Sequence, residues 1–178
     1  GWRFFNSRMQ ALYGTDAMGV TAENLADMYQ ISREDQDKFA LWSQQKATRA
    51  RDDGRFAEEI APLLIEKGRG DSTVFQTDEF IKPDTTLEIL GKLRTAFKKD
   101  GTVTAGNASG LNDGAVALLV ASEAGMKNNG LQPLVRIVSS AVTGVEPRIM
   151  GIGPVSASQQ ALQKAGLALA DMDVLEPN

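Results

Sequence analysis

The sequence predicts an α/β chain in which a mostly helical stretch is followed by sheet layers. Three observations carry this. A strongly capped helical pattern runs from Ser32 to Asp53. A run of small and branched apolar residues without alternation at 114–120 reads as a strand, and 134–142 and 172–176 read as a second and a third. Helices opening at Ser122 and Ser156 fall between those runs.

Each element has its own signal. Thr21 is read as the cap of a short helix through Met28. Ser32 starts the long helix, with Glu34, Asp35 and Asp37 in its electropositive first turn. Phe39, Trp42, Ser43, Lys46, Ala47 and Ala50 continue at helical spacing, and Gly54 is a left-handed stop. Strand-like pieces at 57–65 and 73–80 flank a turn at Lys67-Gly68-Arg69-Gly70-Asp71. A short helix follows at 85–93. Ser122 caps a brief helix ending at Gly130, and the helix from Ser156 closes at Gly166. The strand–helix–strand order implies some parallel pairing. Strands of this kind require cover on both faces, and the last 75 or so residues supply too little of it. The expectation is a piece of a larger fold, or one half of an assembly that completes it.

Composition narrows the chemistry. The 178 residues include neither cysteine nor histidine. Disulfides, thiolate nucleophiles, cysteine metal sites and an imidazole base are therefore unavailable. Asp, Glu and Lys remain, in no recognisable catalytic spacing. Hydrophobic content of 42% and charged content of 24% are ordinary for a soluble globular chain. A net charge of −4 argues against a broad nucleic-acid surface. No apolar run nears the roughly 20 residues of a membrane span, and no signal-peptide pattern is present. These readings predict a soluble, cytoplasmic chain with no nucleic-acid or membrane partner and no metal.

Several motifs in order carry a family resemblance. They are Gly1-Trp2-Arg3-Phe4 with Ala11-Leu12-Tyr13-Gly14, then Met18-Gly19-Val20-Thr21-Ala22-Glu23-Asn24, then Ser32-Arg33-Glu34-Asp35-Gln36-Asp37. Thr104–Gly110 with Asn112-Asp113-Gly114-Ala115, and Met150-Gly151-Ile152-Gly153-Pro154, complete the set. Together they resemble the thiolase family of acyl-CoA acyltransferases. The resemblance implies a partial thiolase fold, with a mostly helical loop domain over 1–111. The end of the N-terminal core half follows at 112–132, and the start of the C-terminal half at 133–178. It places the family's nucleophilic cysteine before residue 1, and its histidine and second cysteine after residue 178. Pro177 stands where the family has Leu, Met or Ala.

Ala105–Gly110 is the first candidate for binding. From the residues alone it is either a tight turn before a buried strand or a place where backbone can approach a ligand closely. The resemblance implies that this loop lines the pantetheine tunnel, with Ser109 in direct contact and Ala105 and Gly106 alongside. It also places Met18 on the acyl pocket, preceded by Ala17 where relatives often have histidine. It puts Phe97 on the pantetheine arm and Lys82 near the nucleotide end of CoA. Ile89 replaces a serine that touches adenine in some relatives. Asn178 corresponds to an asparagine that holds an oxyanion-site water. As isolated residues, Met18 and Phe97 are more often core, and Lys82, Lys67, Arg69 and Arg136 are more often solvated charges.

The implied reaction is thiolytic cleavage or Claisen condensation of 3-oxoacyl-CoA, in fatty-acid or aromatic degradation, with a lean toward 3-oxoadipyl-CoA. CoA or acyl-CoA is the substrate, and no cofactor is bound covalently. The expected partners are a small-molecule acyl-CoA and either a homo-oligomer or the remaining thiolase segments. Lacking the catalytic groups, the chain alone is expected to be inactive and limited to CoA-binding elements. The alternative is a non-catalytic acyl-CoA-binding or partner-docking domain.

Overall fold

A serine, two acidic residues and a glycine delimit the longest helix of the computed structural model, which describes residues 4–68 and 70–177. In chain order the helices are α1 (Ser7–Tyr13), α2 (Met18–Tyr29), α3 (Arg33–Asp52), α4 (Leu87–Gly91), α5 (Glu123–Asn129) and α6 (Gly153–Ala165). A hairpin of β1 (Leu63–Gly68) and β2 (Asp71–Phe75) lies between α3 and α4. The fold is mixed helix and sheet, in two compact units: Gly1–Leu25 with Asp113–Asn178, and Ala26–Asn112.

In the 26–112 unit, α3 forms as its sequence predicts. The Ser32 hydroxyl accepts from the Asp35 backbone N–H at 3.1 Å and donates to the Asp35 carboxylate at 2.8 Å. Glu34 and Asp35 meet the positive end of the helix, and Arg49 and Arg51 the negative end. Gly54, at φ 76°, takes the left-handed turn that ends it. On its outer face Phe39 and Trp42 meet edge to face at 5.7 Å, and the Lys46 ammonium lies 3.6 Å over the Trp42 ring. Phe39 and Trp42 are exposed. Lys38 is exposed too. Its hydrogen bond to Glu34, and then the Glu34 charge, raise its pKa above the ordinary lysine value.

After Gly54 the chain turns instead of extending. The Ala57 N–H donates to the Gly54 carbonyl and the Glu59 N–H to the Phe56 carbonyl. These bonds make a short 3-10 turn over Arg55–Glu58, so the strand predicted from residue 57 starts only at Leu63. Pairing runs antiparallel from Leu63↔Phe75 through Ile65↔Thr73. Pro62, with no N–H to give, stands just before the first pair, and β2 ends at Phe75 rather than Phe80. Of the predicted turn, Arg69 lies outside the described residues. In α4 the Thr86 hydroxyl accepts from the Ile89 N–H at 3.2 Å, which shortens the predicted 85–93 helix to one capped turn.

In the other unit, Asn6 caps α1 by accepting from the Arg8 and Met9 N–H groups. Thr21 is not a cap. Its N–H donates to Ala17 and its hydroxyl to the Met18 carbonyl at 2.7 Å, which puts it inside the first turn of α2. Ser122 caps α5 and Gly130 ends it, as predicted. The last helix begins at Gly153, three residues before Ser156, because Pro154 suits the first turn, where an N–H is not needed. Ser139 donates to the Ala161 carbonyl at 2.7 Å, and Lys164 to Ser140 at 3.0 Å. Both bonds fasten an extended segment to α6.

The three predicted strands are a correction. Residues 114–120, 134–142 and 172–176 form no strand, and no parallel pair occurs among the described residues. Their apolarity signals burial, yet Val116 is 85% exposed and Leu134 99%. A strand is defined by its hydrogen-bonded neighbour, and these segments have none among the described residues.

Removing the α3 cap tests this account. Ser32→Ala should cost about 1 kcal/mol of stability, read as a lower urea midpoint with unchanged slope. An unchanged midpoint would show that the hydroxyl does not hold the helix start.

Candidate functional site

The small-residue bend at 105–110 is set by what lies before it. Thr95 and Thr104 pair in an isolated antiparallel bridge, and the Ala96 N–H donates to the Val103 carbonyl at 2.9 Å. The segment between them loops outward. Thr104 is 0% exposed, and Val103 and Leu90 are buried beside it. The chain then turns back to the surface, leaving Ala105 and Ser109 exposed.

Asn107 fixes the turn. Its Oδ1 accepts from the Thr104 N–H at 2.8 Å, and its Nδ2 donates to the Thr102 carbonyl at 3.0 Å. The same Nδ2 donates to Asp37 Oδ1 at 3.0 Å. The other oxygen of Asp37 accepts from Arg33 Nε at 2.8 Å, a pair one helical turn apart on α3. Arg33 Nη2 then donates to the carbonyls of Leu90 at 2.6 Å and Leu93 at 3.2 Å, at the end of α4. Gln36 adds a bond to the Thr102 hydroxyl at 2.9 Å. Buried Asp37 thus has a charged partner and an amide partner, as a buried carboxylate requires.

Space at the bend is fully used. A Cβ on Gly106 would lie 2.5 Å from Leu90 Cδ2 and 2.5 Å from Leu93 Cδ1. A Cβ on Gly110 would lie 2.7 Å from the Phe80 ring. The glycines let the backbone lie directly against the side chains beneath it.

The other predicted residues of this unit lie on neighbouring segments. Phe97, 46% exposed, lines an open-sided cavity of about 620 Å³ formed by residues 93–100. Arg94, Lys98 and Lys99 share that lining, and Lys98 pairs with Asp27. Lys82 is exposed, with its Nζ 5.7 Å from the Phe80 ring centroid. Its N–H donates to Gln44 Oε1 at 2.8 Å and its carbonyl accepts from Thr85 Oγ1 at 2.7 Å. Met18 belongs to the other unit, where it opens α2 and is 72% exposed. Asn178 lies outside the described residues. No group of three or more acidic residues, histidines or cysteines is set to hold a metal among the described residues. No helix among them is long and apolar enough to cross a membrane.

Reading by sequence missed the part played by Arg33, Asp37 and Asn107. Two quoted motifs contained them, and the i, i+4 spacing of Arg33 and Asp37 was a visible sign of their pairing. The partnership with Asn107, 70 positions away, left no local mark.

Comparison with known proteins identifies the class. Residues 5–124 match the family model for the thiolase N-terminal domain, and residues 131–178 that for the thiolase C-terminal domain. The chain belongs to the thiolase family of acyltransferases. It is 52% identical, over all 178 residues, to the 3-oxoadipyl-CoA/3-oxo-5,6-dehydrosuberyl-CoA thiolase of Escherichia coli strain K12. It spans 44% of that relative's length. Its fold is similar to the crystal structure of the Bacillus anthracis acetyl-CoA acetyltransferase, with TM-score 0.86 and 44% identity. That match covers 98% of this chain and 46% of the other. It is also similar to human mitochondrial 3-ketoacyl-CoA thiolase solved in complex with CoA, with TM-score 0.82 and 54% identity. That match covers 88% of this chain and 38% of the other. The partial thiolase fold expected from the motifs is therefore the fold of this chain.

Gly106→Ala tests the close packing of the bend. It should destabilise the chain by about 1–3 kcal/mol through overpacking against Leu90 and Leu93, measured by urea unfolding. A neutral result would show that the two leucines move aside freely.

Proposed function

We propose that the chain carries the CoA-binding elements of a thiolase, an acyltransferase that cleaves or condenses 3-oxoacyl-CoA. The observation that supports this reading is the bend at 105–110. Gly106 lies against Leu90 and Leu93 and Gly110 against Phe80, while Ala105 and Ser109 face outward. In this proposal the Ser109 hydroxyl contacts the pantetheine arm, with Ala105 and Gly106 forming the surface it slides along. Phe97 packs against the arm from the cavity at 93–100. Lys82 contributes charge toward the nucleotide phosphates, and Met18 the wall of the acyl pocket. Asn178 takes the oxyanion-water position. Residues 1–111 act as the loop domain, 112–132 as the end of the first core half and 133–178 as the start of the second.

The 178 residues contain neither cysteine nor histidine. On this reading the acyl-accepting thiolate and the imidazole proton carrier come from polypeptide other than these residues, and the chain by itself does not turn over. The same absence supports a second reading, a non-catalytic domain that binds acyl-CoA. The 52% identity to a 3-oxoadipyl-CoA thiolase supports a dicarboxylic 3-oxoacyl-CoA as the substrate of the whole enzyme. We further propose a cytoplasmic setting and a homo-oligomeric assembly.

Titration calorimetry with CoA tests the binding role. The chain should bind CoA, and Ser109→Ala should weaken binding about 2–10-fold, the worth of one hydrogen bond. No heat of binding, or no effect of the substitution, would overturn the assignment. Incubation with acetoacetyl-CoA or 3-oxoadipyl-CoA plus CoA, followed by the absorbance of the enolate–magnesium complex, should show no change. Turnover would refute the inactivity of these residues alone.

A further inference from the structure

We infer that Asp37 and Asn107 are positioning residues for the ligand-facing bend, acting through the main chain of Thr102–Gly106 without touching ligand themselves. This rests on the CoA reading of the bend and adds to it the groups that hold the bend in shape.

The geometry gives each group a distinct task. Asn107 bonds back to the Thr104 N–H and the Thr102 carbonyl, both on the segment leading into the turn, through both ends of its amide. That alone would close a local turn. Its further bond to Asp37 Oδ1 ties the turn to α3, a rigid element of 20 residues. Asp37 is in turn held by Arg33, which also holds the end of α4 through Leu90 and Leu93. Those same leucines are the surface on which Gly106 lies. The bend is therefore registered twice against one platform, by hydrogen bonds above and by close packing below. Thr95, bridged to Thr104, leads directly into the segment that bears Phe97. Moving the bend would move the Phe97 segment with it.

A loop held in its binding shape loses less freedom when ligand arrives, so affinity depends on the clamp as well as on the contacts. Asn107→Ala removes the link and keeps the loop's small size. Asp37→Asn keeps shape but can set two amide donors facing each other. Ser32→Ala, at the start of the same helix and outside this network, is the control for general destabilisation.

The test uses the 178-residue chain, at a temperature where every variant is fully folded by circular dichroism. Two quantities are read: amide hydrogen exchange across residues 102–110, and CoA affinity by calorimetry. Asn107→Ala and Asp37→Asn should speed exchange at Thr104 and Gly106 about tenfold and weaken CoA about tenfold, as loss of a charge-assisted bond implies. Ser32→Ala should leave CoA affinity unchanged and speed exchange across 102–110 by no more than its loss of global stability. Should Asn107→Ala fail to fold, Gln36→Ala, which removes the bond to Thr102 and a longer one to the Ile31 carbonyl, is read in the same way. Exchange no faster than in Ser32→Ala would overturn the clamp. Faster exchange with unchanged CoA affinity would overturn its role in binding. If even the unsubstituted chain binds no CoA, the CoA reading itself fails, and the exchange comparison still decides whether the pair shapes the bend.

Discussion

The carboxylate of Asp37 joins three parts of the chain that are far apart in sequence. One oxygen accepts from the Arg33 guanidinium and the other from the Asn107 amide. Through the first it reaches the end of α4, and through the second the turn after Thr104. A carboxylate taken out of water requires compensation on both oxygens, and its burial is tolerated because both are met. Few apolar side chains of the 26–112 unit are buried, so directional polar bonds determine where the α3 face, the α4 end and the 102–110 turn lie. The position of exposed Ser109 follows from that arrangement rather than from any bond of its own.

Legibility in the sequence divides along the range of the interactions. Caps act over three or four residues, and so Ser32, Ser122, Gly54 and Gly130 could be read directly. The exceptions are instructive. Thr21 looked like a cap because its type suits that role, but its hydroxyl bonds back to Met18 inside an existing turn. Serine is common at helix starts, which favours Ser156, while Pro154 fixes the start upstream. In both cases a neighbour two or three residues away decides the matter.

Strands were the harder problem, because a strand requires a partner that its own residues do not specify. The runs at 114–120, 134–142 and 172–176 carry the apolar content of buried strands without acquiring neighbours among the described residues. The likeness to solved thiolases, over nearly the whole chain, shows that their path through space is nevertheless that of the family. Family motifs therefore conveyed the course of the chain where periodicity alone predicted ladders. At the bend, small residues signalled a close approach of backbone. The network that supports it spans about 70 positions, and no local pattern encodes such a distance.

Among the described residues the buried apolar side chains are Ala26, Leu90 and Val103. Unfolding therefore brings little new hydrocarbon into contact with water, and hydrocarbon hydration is the source of the large heat-capacity step of ordinary domains. The melting of this chain should absorb modest heat over a wide span of temperature, and its free energy should vary almost linearly with warming, with little of the usual dome.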